Sequence, residues 1–202
     1  MAASSAQHPL DRPLRNDASA KVSLSAFAFL FSEMVSRAGT IPCPPSSVDV
    51  WESRLSEMGK DVGRRALPLA AIKEAHFKQR PTTTTAILTT ICTVLWERWF
   101  GTRVGFDREA GTDRFYIIDD EPLVTKYIRM PPDYLSSDQT PTINFANYVA
   151  GMIEGALESC SFGAKVTAVH ITGGAASGHP DQTMYSVVFD TAVMERERRL
   201  AN

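Results

Sequence analysis

The sequence predicts an α+β domain in which helices pack on one face of an antiparallel, roughly four-stranded sheet. Two observations support this fold class. Several segments repeat apolar residues at three- and four-residue steps, as amphipathic helices do. Four shorter segments rich in β-branched and aromatic residues come in two pairs, and a glycine-containing turn separates the members of each pair. The predicted order is three helices, two strands, a helix, two strands and a closing helix.

Length and composition indicate a single globular domain. The chain has 202 residues, of which 44% are hydrophobic and 22% are charged. Residues 1–20 mix Ala, Ser, Pro and charge without periodicity and are predicted to form a flexible tail, so the domain is assigned to residues 21–202. A net charge of −2 gives no electrostatic reason to expect nucleic acid or an anionic membrane as the partner.

The cysteines and the hydropathy favour a cytoplasmic protein. Cys43, Cys92 and Cys160 form an odd, widely spaced set, which is typical of reduced thiols and not of a disulfide framework or a zinc site. Apolar runs stay shorter than the roughly 18 residues that a membrane span needs. We therefore expect no transmembrane segment.

The first helix is predicted from Leu24 to Arg37, with Ser23 as its N-cap and Gly39 as its end. It is apolar nearly all round, because small and aromatic residues occupy the side that would normally be polar. A helix of this kind must be covered on both sides. In a chain of this length we expect another protein to provide the second cover, although burial within the chain's own core would explain the same pattern. The core stripe is predicted to be Leu24, Phe27, Leu30, Phe31, Met34 and Val35.

The second helix follows Ser46 or Ser47 and carries a coiled-coil-like apolar seam. Gly59 and Gly63 have the four-residue spacing that lets two helices approach closely. Pro68 is expected to kink or end the helix, with a continuation as far as Ala75. The seam residues are Val48, Trp51, Leu55, Met58 and Val62.

The third helix is predicted from Thr84 to Phe100, with Gly101 as its end. Strands are predicted at Thr102–Phe106 and Arg114–Ile118. A short amphipathic turn should then span Leu123–Ile128. The inward residues of the helix are predicted to be Ile87, Leu88, Ile91, Val94, Leu95, Trp96 and Trp99.

The remaining elements follow the same rules. A fourth helix is predicted at Asn144–Cys160, and two strands are predicted at Lys165–Thr172 and Thr183–Phe189. The closing segment TAVMERERRL is predicted to be a charged, exposed helix.

The stretch DRFYIIDDEPL raises the question of a catalytic or metal site, because Asp119, Asp120 and Glu121 directly follow a strand. Adjacent side chains in a strand point to opposite faces, so at most Asp119 and Glu121 could share a ligand. The same residues are also suited to ending a strand and opening a helix with Pro122 at the first helical position. We favour this structural interpretation over a metal-dependent hydrolase.

Other candidate motifs predict no catalytic residue, no cofactor and no metal ligand. The loop HITGGAASGHP lacks the Gly-Lys-Ser/Thr ending of a phosphate-binding loop and precedes a strand. The four histidines do not form an HExxH motif, and no serine lies in a GxSxG motif. Cys92 lies within an apolar helix, where a buried thiol is the simplest interpretation.

The order of several motifs resembles the family of small subunits of the TRAPP (transport protein particle) tethering complex, typified by the acylated Bet-three subunit. The motifs are SLSAFAFLFSEMV in the first helix, LWERWFG at the end of the third, FYIIDDEPLVTKYI, FANYVAGMIEGALE and FGAKVTA. The resemblance covers roughly residues 21–198. It implies the same α+β fold that the elements predict.

The resemblance also implies a function and a set of partners. Members of the family are non-catalytic structural subunits that pair through their first two helices. The pairs join into a core that acts as the exchange factor for the Rab GTPase of ER-to-Golgi traffic. This chain would connect an acylated Bet-three-type subunit to a sedlin-type subunit, in the cytoplasm and peripherally at Golgi and ER-exit membranes.

The resemblance assigns a partner interface and removes a lipid site. The segment KQRPTTTT precedes the third helix, where the acylated relative carries its lipidated cysteine, and it contains no cysteine. No covalent acyl chain is therefore expected, and an alternative function is a small module that binds an apolar ligand. The predicted interface residues are Leu24, Phe27, Phe29, Phe31, Met34, Trp51, Leu55 and Met58.

Overall fold

A computed structural model of the chain describes residues 22–40, 47–73, 80–128, 143–171 and 182–201. The predicted tail 1–20 and the predicted loops 130–142 and 173–181 lie outside these ranges, as does most of the loop after the first helix. Within them the predicted fold class is confirmed, because helices pack on an antiparallel sheet of four strands.

The first helix is longer than predicted, and the second is continuous through its proline. Helix α1 spans Leu24–Thr40, three residues beyond the predicted end. Helix α2 spans Val48–Lys73 and continues through Pro68. Of the predicted kink or end at Pro68, the end is wrong, and the predicted continuation is confirmed as far as Lys73. Pro68 is exposed, and its ring therefore faces solvent instead of a packed neighbour.

The third helix has the predicted bounds but contains a π turn. It begins as α3 (Thr84–Thr90), passes through a π-helical segment at Ile91–Leu95 and ends as α4 (Trp96–Phe100). Thr83 caps the start by accepting a hydrogen bond from the Ala86 N–H, and Gly101 ends it with φ of 75°. The threonines adapt to the helix, since the hydroxyls of Thr89, Thr90 and Thr93 donate to carbonyls four residues earlier.

The sheet has the order β1-β2-β4-β3, and every neighbouring pair is antiparallel. Its strands are β1 (Phe106–Arg108), β2 (Arg114–Asp119), β3 (Ala164–Ile171) and β4 (Gln182–Phe189). Three of them match the prediction within one residue at either end. The predicted strand at 102–106 is wrong except for Phe106, because the Val104 N–H donates to the Cys92 carbonyl of the π segment and is not available for pairing.

The other helices complete the layer on the inner face of the sheet. Helix α5 (Leu123–Lys126) follows β2, and helix α6 (Asn147–Ser159) is buried over most of its length and packs against both α2 and β3. Helix α7 (Thr191–Ala201) was predicted to be exposed, and this is wrong for its inner side. Val193 and Met194 belong to the core.

Candidate functional site

The outer side of α1 exposes large apolar residues in its first two turns. Phe29 is 78% exposed, Leu30 is 61% exposed and Leu24 is 45% exposed, although all three are large hydrophobic residues on one short helix. Isolated exposed hydrophobic residues are ordinary, but a cluster of this kind is typical of a binding surface.

The other side of α1 is fixed to the chain's own core. Phe31 is buried and packs on Tyr148 of α6, with a ring-centroid distance of 5.1 Å. The indole Nε1–H of Trp51 donates to the Val35 carbonyl at 3.2 Å. A Cβ at Gly39 would collide with that indole, so the glycine lets α1 and α2 come together here. The exposed residues of α1 are therefore presented by an anchored helix.

The apolar seam of α2 continues beyond the part that α1 covers. Trp51 and Leu55 are buried, whereas Val62, Leu69 and Ile72 are exposed, Ile72 to 70%. At a rise of about 1.5 Å per residue, α2 with its 26 residues is about 13 Å longer than α1 with its 17 residues. We define the α1–α2 apolar surface as six of the exposed apolar residues of these two helices, namely Leu24, Phe29, Leu30, Val62, Leu69 and Ile72.

The residues predicted for the interface lie at different depths. Leu24 and Phe29 are exposed, and three more are half-buried, namely Phe27, Met34 and Met58. Phe31, Trp51 and Leu55 lie in the core of the chain itself.

Sequence reasoning missed part of this surface. Leu30 was assigned to the core stripe, and the seam of α2 was followed only as far as Val62, which left out Leu69 and Ile72. The seven-residue step from Val62 to Leu69 could have revealed that the seam continues.

Behind this surface, α2 and α6 cross at very short range through four glycines. A Cβ at Gly59 or Gly63 would overlap the carbonyl of Tyr148 or Met152 on α6. In the opposite direction, a Cβ at Gly151 or Gly155 would overlap the carbonyl of Ser56 or Lys60 on α2. The spacing of Gly59 and Gly63 predicted a close approach of two helices, and this is confirmed. The crossing gives α2 a rigid support.

Two series of hydrogen bonds between side chains and backbone also connect α2 to the edge strand β3. In the first, the Glu52 carboxylate accepts from the Asn144 N–H at 2.7 Å and from the Asn147 side chain at 2.9 Å. The Asn144 amide then donates to the Ala168 carbonyl of β3 at 2.9 Å. Because β3 is an edge strand, this side chain occupies a backbone group of the sheet edge.

In the second series of hydrogen bonds, Glu154 lies between Lys60 of α2 and the sheet. Lys60 Nζ donates to the Glu154 carboxylate at 2.9 Å, and this hydrogen bond raises the pKa of Lys60. The second carboxylate oxygen accepts from the Val166 N–H at 3.1 Å. Glu154 is buried, and these bonds are the compensation that a buried carboxylate requires.

The three adjacent acids do not converge on one point. Asp120 accepts a hydrogen bond from Gln182 at 2.7 Å, and Glu121 lies 3.4 Å from Lys126 Nζ. Pro122 is the N-cap of α5, one position earlier than predicted. Across the described ranges, no group of three or more His, Cys, Asp or Glu side chains is arranged to hold a metal ion.

Asp119 differs from its neighbours because it points into the protein. Burial raises the pKa of its carboxyl from 3.8 to about 6, and the charges of Asp120 and Glu121 act in the same direction. The Glu121 N–H donates to Asp119 Oδ1 at 3.3 Å and opposes this shift. The bonds of the three acids account for the end of β2 and the turn into α5.

The start of α3 is closed by a carboxylate from α7. Glu197 accepts from the Thr84 N–H at 3.1 Å and from the Thr84 hydroxyl at 2.8 Å. The acid thus lies at the positive end of the helix. Cys92 lies deeper in the same helix, where burial raises the pKa of its thiol to about 12. A thiol of this kind stays protonated and is a poor nucleophile at neutral pH.

Comparison with known proteins agrees with the sequence motifs. Residues 27–190 match the family model described as transport protein particle (TRAPP) component. Trafficking protein particle complex subunit 5 of Homo sapiens is 34% identical over 182 residues, which cover 89% of this chain and 87% of the relative. The protein of the same name from Dictyostelium discoideum is 34% identical over 195 residues, covering 93% and 95% of the two chains.

A solved structure supports the fold. A trafficking protein particle complex subunit 3 from Naegleria fowleri, covalently bound to palmitic acid, superposes with a TM-score of 0.63. It is 16% identical and covers 83% of this chain and 95% of its own, so the likeness concerns the fold alone. The family match over most of the chain and the identity to the curated relatives together establish that this chain belongs to the TRAPP component family.

Proposed function

We propose that this chain is a non-catalytic structural subunit of the TRAPP complex that pairs with another small subunit through α1 and α2. The observation that carries the proposal is the α1–α2 apolar surface. Phe29, Leu30 and Ile72 are each more than 60% exposed, and they belong to helices that the core holds in place. Covering such residues supplies the main favourable term in stable association.

The shape of this surface favours a helical partner. Val62 and Leu69 continue a seam with heptad spacing, and a facing helix can pack its own apolar residues against such a seam. The partner we propose is the acylated Bet-three-type subunit, because family members pair through their first two helices. A sedlin-type subunit would bind another face, and this chain would connect the two.

In the assembled complex the chain would contribute to nucleotide exchange on the Rab GTPase of ER-to-Golgi traffic without performing chemistry itself. Its position would be cytoplasmic and peripheral at Golgi and ER-exit membranes, through the complex. None of the described helices is long and apolar enough to cross a membrane.

The test is co-expression with the acylated subunit, followed by size exclusion with light scattering. Wild type should give a one-to-one complex. Phe29→Glu should weaken the complex by at least about 2 kcal/mol, or roughly 30-fold in Kd, because an aromatic residue of the proposed interface would be replaced by a charge that loses its water on binding. The control is Val169→Glu, which places the same charge at an exposed apolar residue on the outer face of the sheet, away from α1 and α2. Equal affinity for wild type and Phe29→Glu would contradict the proposal.

Trp51→Glu is unsuitable as a test of pairing with a partner subunit. Trp51 is buried and bonds the Val35 carbonyl, so its replacement would separate α1 from α2 within the chain. A loss of pairing in that variant would not distinguish a damaged interface from a damaged fold.

A further inference from the structure

Two hydrogen-bonding side chains meet in the interior between the third helix and the sheet. Trp96 opens α4 and Tyr185 lies at the centre of β4, and both are 0% exposed. Their rings meet edge-on with centroids 5.8 Å apart. Within the described ranges, neither the indole Nε1 nor the phenol Oη has a hydrogen-bond partner.

This arrangement is unusual for a protein interior. Buried polar atoms are nearly always hydrogen-bonded, and a group that loses its bonds to water without replacement destabilises the fold. The indole N–H can only donate, whereas the phenol can donate and accept. Two such groups on neighbouring side chains are suited to share one small molecule that accepts from both.

A third polar group lies on the same inner face of the sheet. Tyr185 is paired across the strands with Ile117, and Asp119 is the next inward residue along β2. Diagonal neighbours of this kind are about 7–8 Å apart. Burial raises the pKa of the Tyr185 phenol, and the Asp119 charge acts in the same direction, so the two groups lie within electrostatic reach of each other. The carboxylate is an acceptor toward which a shared molecule could donate.

We propose that an ordered water molecule is bound between Trp96 and Tyr185, accepting a hydrogen bond from the indole Nε1–H and one from the phenol O–H. It donates a proton of its own toward the Asp119 carboxylate. Three bonds are the usual number for an internal water, and neutral water satisfies two donors without bringing a further charge into the core. The water joins the end of the third helix to the middle of the sheet.

The test is Tyr185→Phe in the full-length chain, in the assembly with which it purifies. This change removes one hydroxyl and keeps the ring. A high-resolution crystal structure of the wild type should show a solvent peak about 2.7–3.2 Å from both atoms, and the variant should lack it. We expect the unfolding equilibrium constant of the variant to rise about fivefold, because a satisfied bond is lost.

The sign of the stability change in Tyr185→Phe shows whether the phenol is hydrogen-bonded to a water or has no partner. If the hydroxyl had no partner, its removal would stabilise the protein. Tyr127→Phe is the control, because Tyr127 is 45% exposed and its phenol is accessible to water, so the same change should alter the constant less than twofold. A wild-type structure without the solvent peak, or a Tyr185→Phe variant as stable as wild type or more so, would overturn the proposal.

Discussion

Replacing Gly63 by alanine tests the close crossing of α2 and α6. The added methyl would overlap the Met152 carbonyl, and the next atoms in its way also belong to the backbone of α6. A flexible side chain could move aside, but the backbone of a buried helix cannot do so alone. The two helices would have to separate along their whole contact.

Two effects oppose each other in this variant. Alanine favours a helix over glycine by roughly 0.5–1 kcal/mol. Overpacking usually costs about 1–3 kcal/mol and more where backbone must shift. We therefore expect Gly63→Ala to lower the free energy of unfolding by about 2 kcal/mol. For a chain of this length that corresponds to a fall in Tm of about 4–8 °C.

The assay is thermal unfolding followed by far-UV circular dichroism, with Gly105→Ala as the matched control. A Cβ at Gly105 meets no atom within 4 Å, so the same chemical change should leave the Tm nearly unaltered there. If Gly63→Ala were as stable as wild type, or more stable as in a solvent-exposed helix, the crossing would be wider than described and the reasoning would fail.

Two further substitutions test the buried acid and the helix cap. Asp119→Asn should raise the free energy of unfolding at pH 7 by about 2 kcal/mol and remove a pH dependence of the wild type. The pKa of Asp119 is about 6 in the folded protein and 3.8 ordinarily, so the wild type loses stability as the pH rises from about 4 to 6. Urea unfolding midpoints of both proteins at pH 4 and pH 7 measure this effect. The same change in midpoint between the two pH values for wild type and Asp119→Asn would contradict the prediction. Glu197→Ala should cost about 1 kcal/mol, because the Thr84 N–H and hydroxyl lose their acceptor. Hydrogen exchange at the start of α3 should accelerate, and unchanged exchange there would show that the cap has no role.

The fold could be predicted from the sequence where a pattern depends on near neighbours alone. The third helix illustrates this, since Thr83 and Gly101 are local signals at its two ends. The prediction of the first strand was wrong because the Val104 N–H donates to the Cys92 carbonyl, twelve residues earlier in the π segment. The strand propensity of the residues contains no information about such a contact. The π turn at Ile91–Leu95 was not predicted.

The candidate site could be predicted only in outline. Excess apolar residues on α1 indicated a surface to be covered, but core and interface residues have the same chemistry. Trp51 and Phe29 looked alike in the sequence, and only the packing of α1 against α2 and α6 places one inside and the other outside. The partners of Gly59 and Gly63 were likewise unknown until α6 was seen to supply the facing glycines.

The two series of hydrogen bonds that reach β3 influence how this sheet can take part in an assembly. A bare edge strand accepts any extended segment, because backbone groups are the same in every protein. Here Asn144 and Glu154 already occupy the Ala168 carbonyl and the Val166 N–H of that edge. In the pairing proposed above, neighbouring subunits are then selected by side chains such as Phe29 and Ile72. Occupying these two backbone groups disfavours the pairing of an arbitrary strand with the middle of β3, and side-chain contacts can be made specific to one partner.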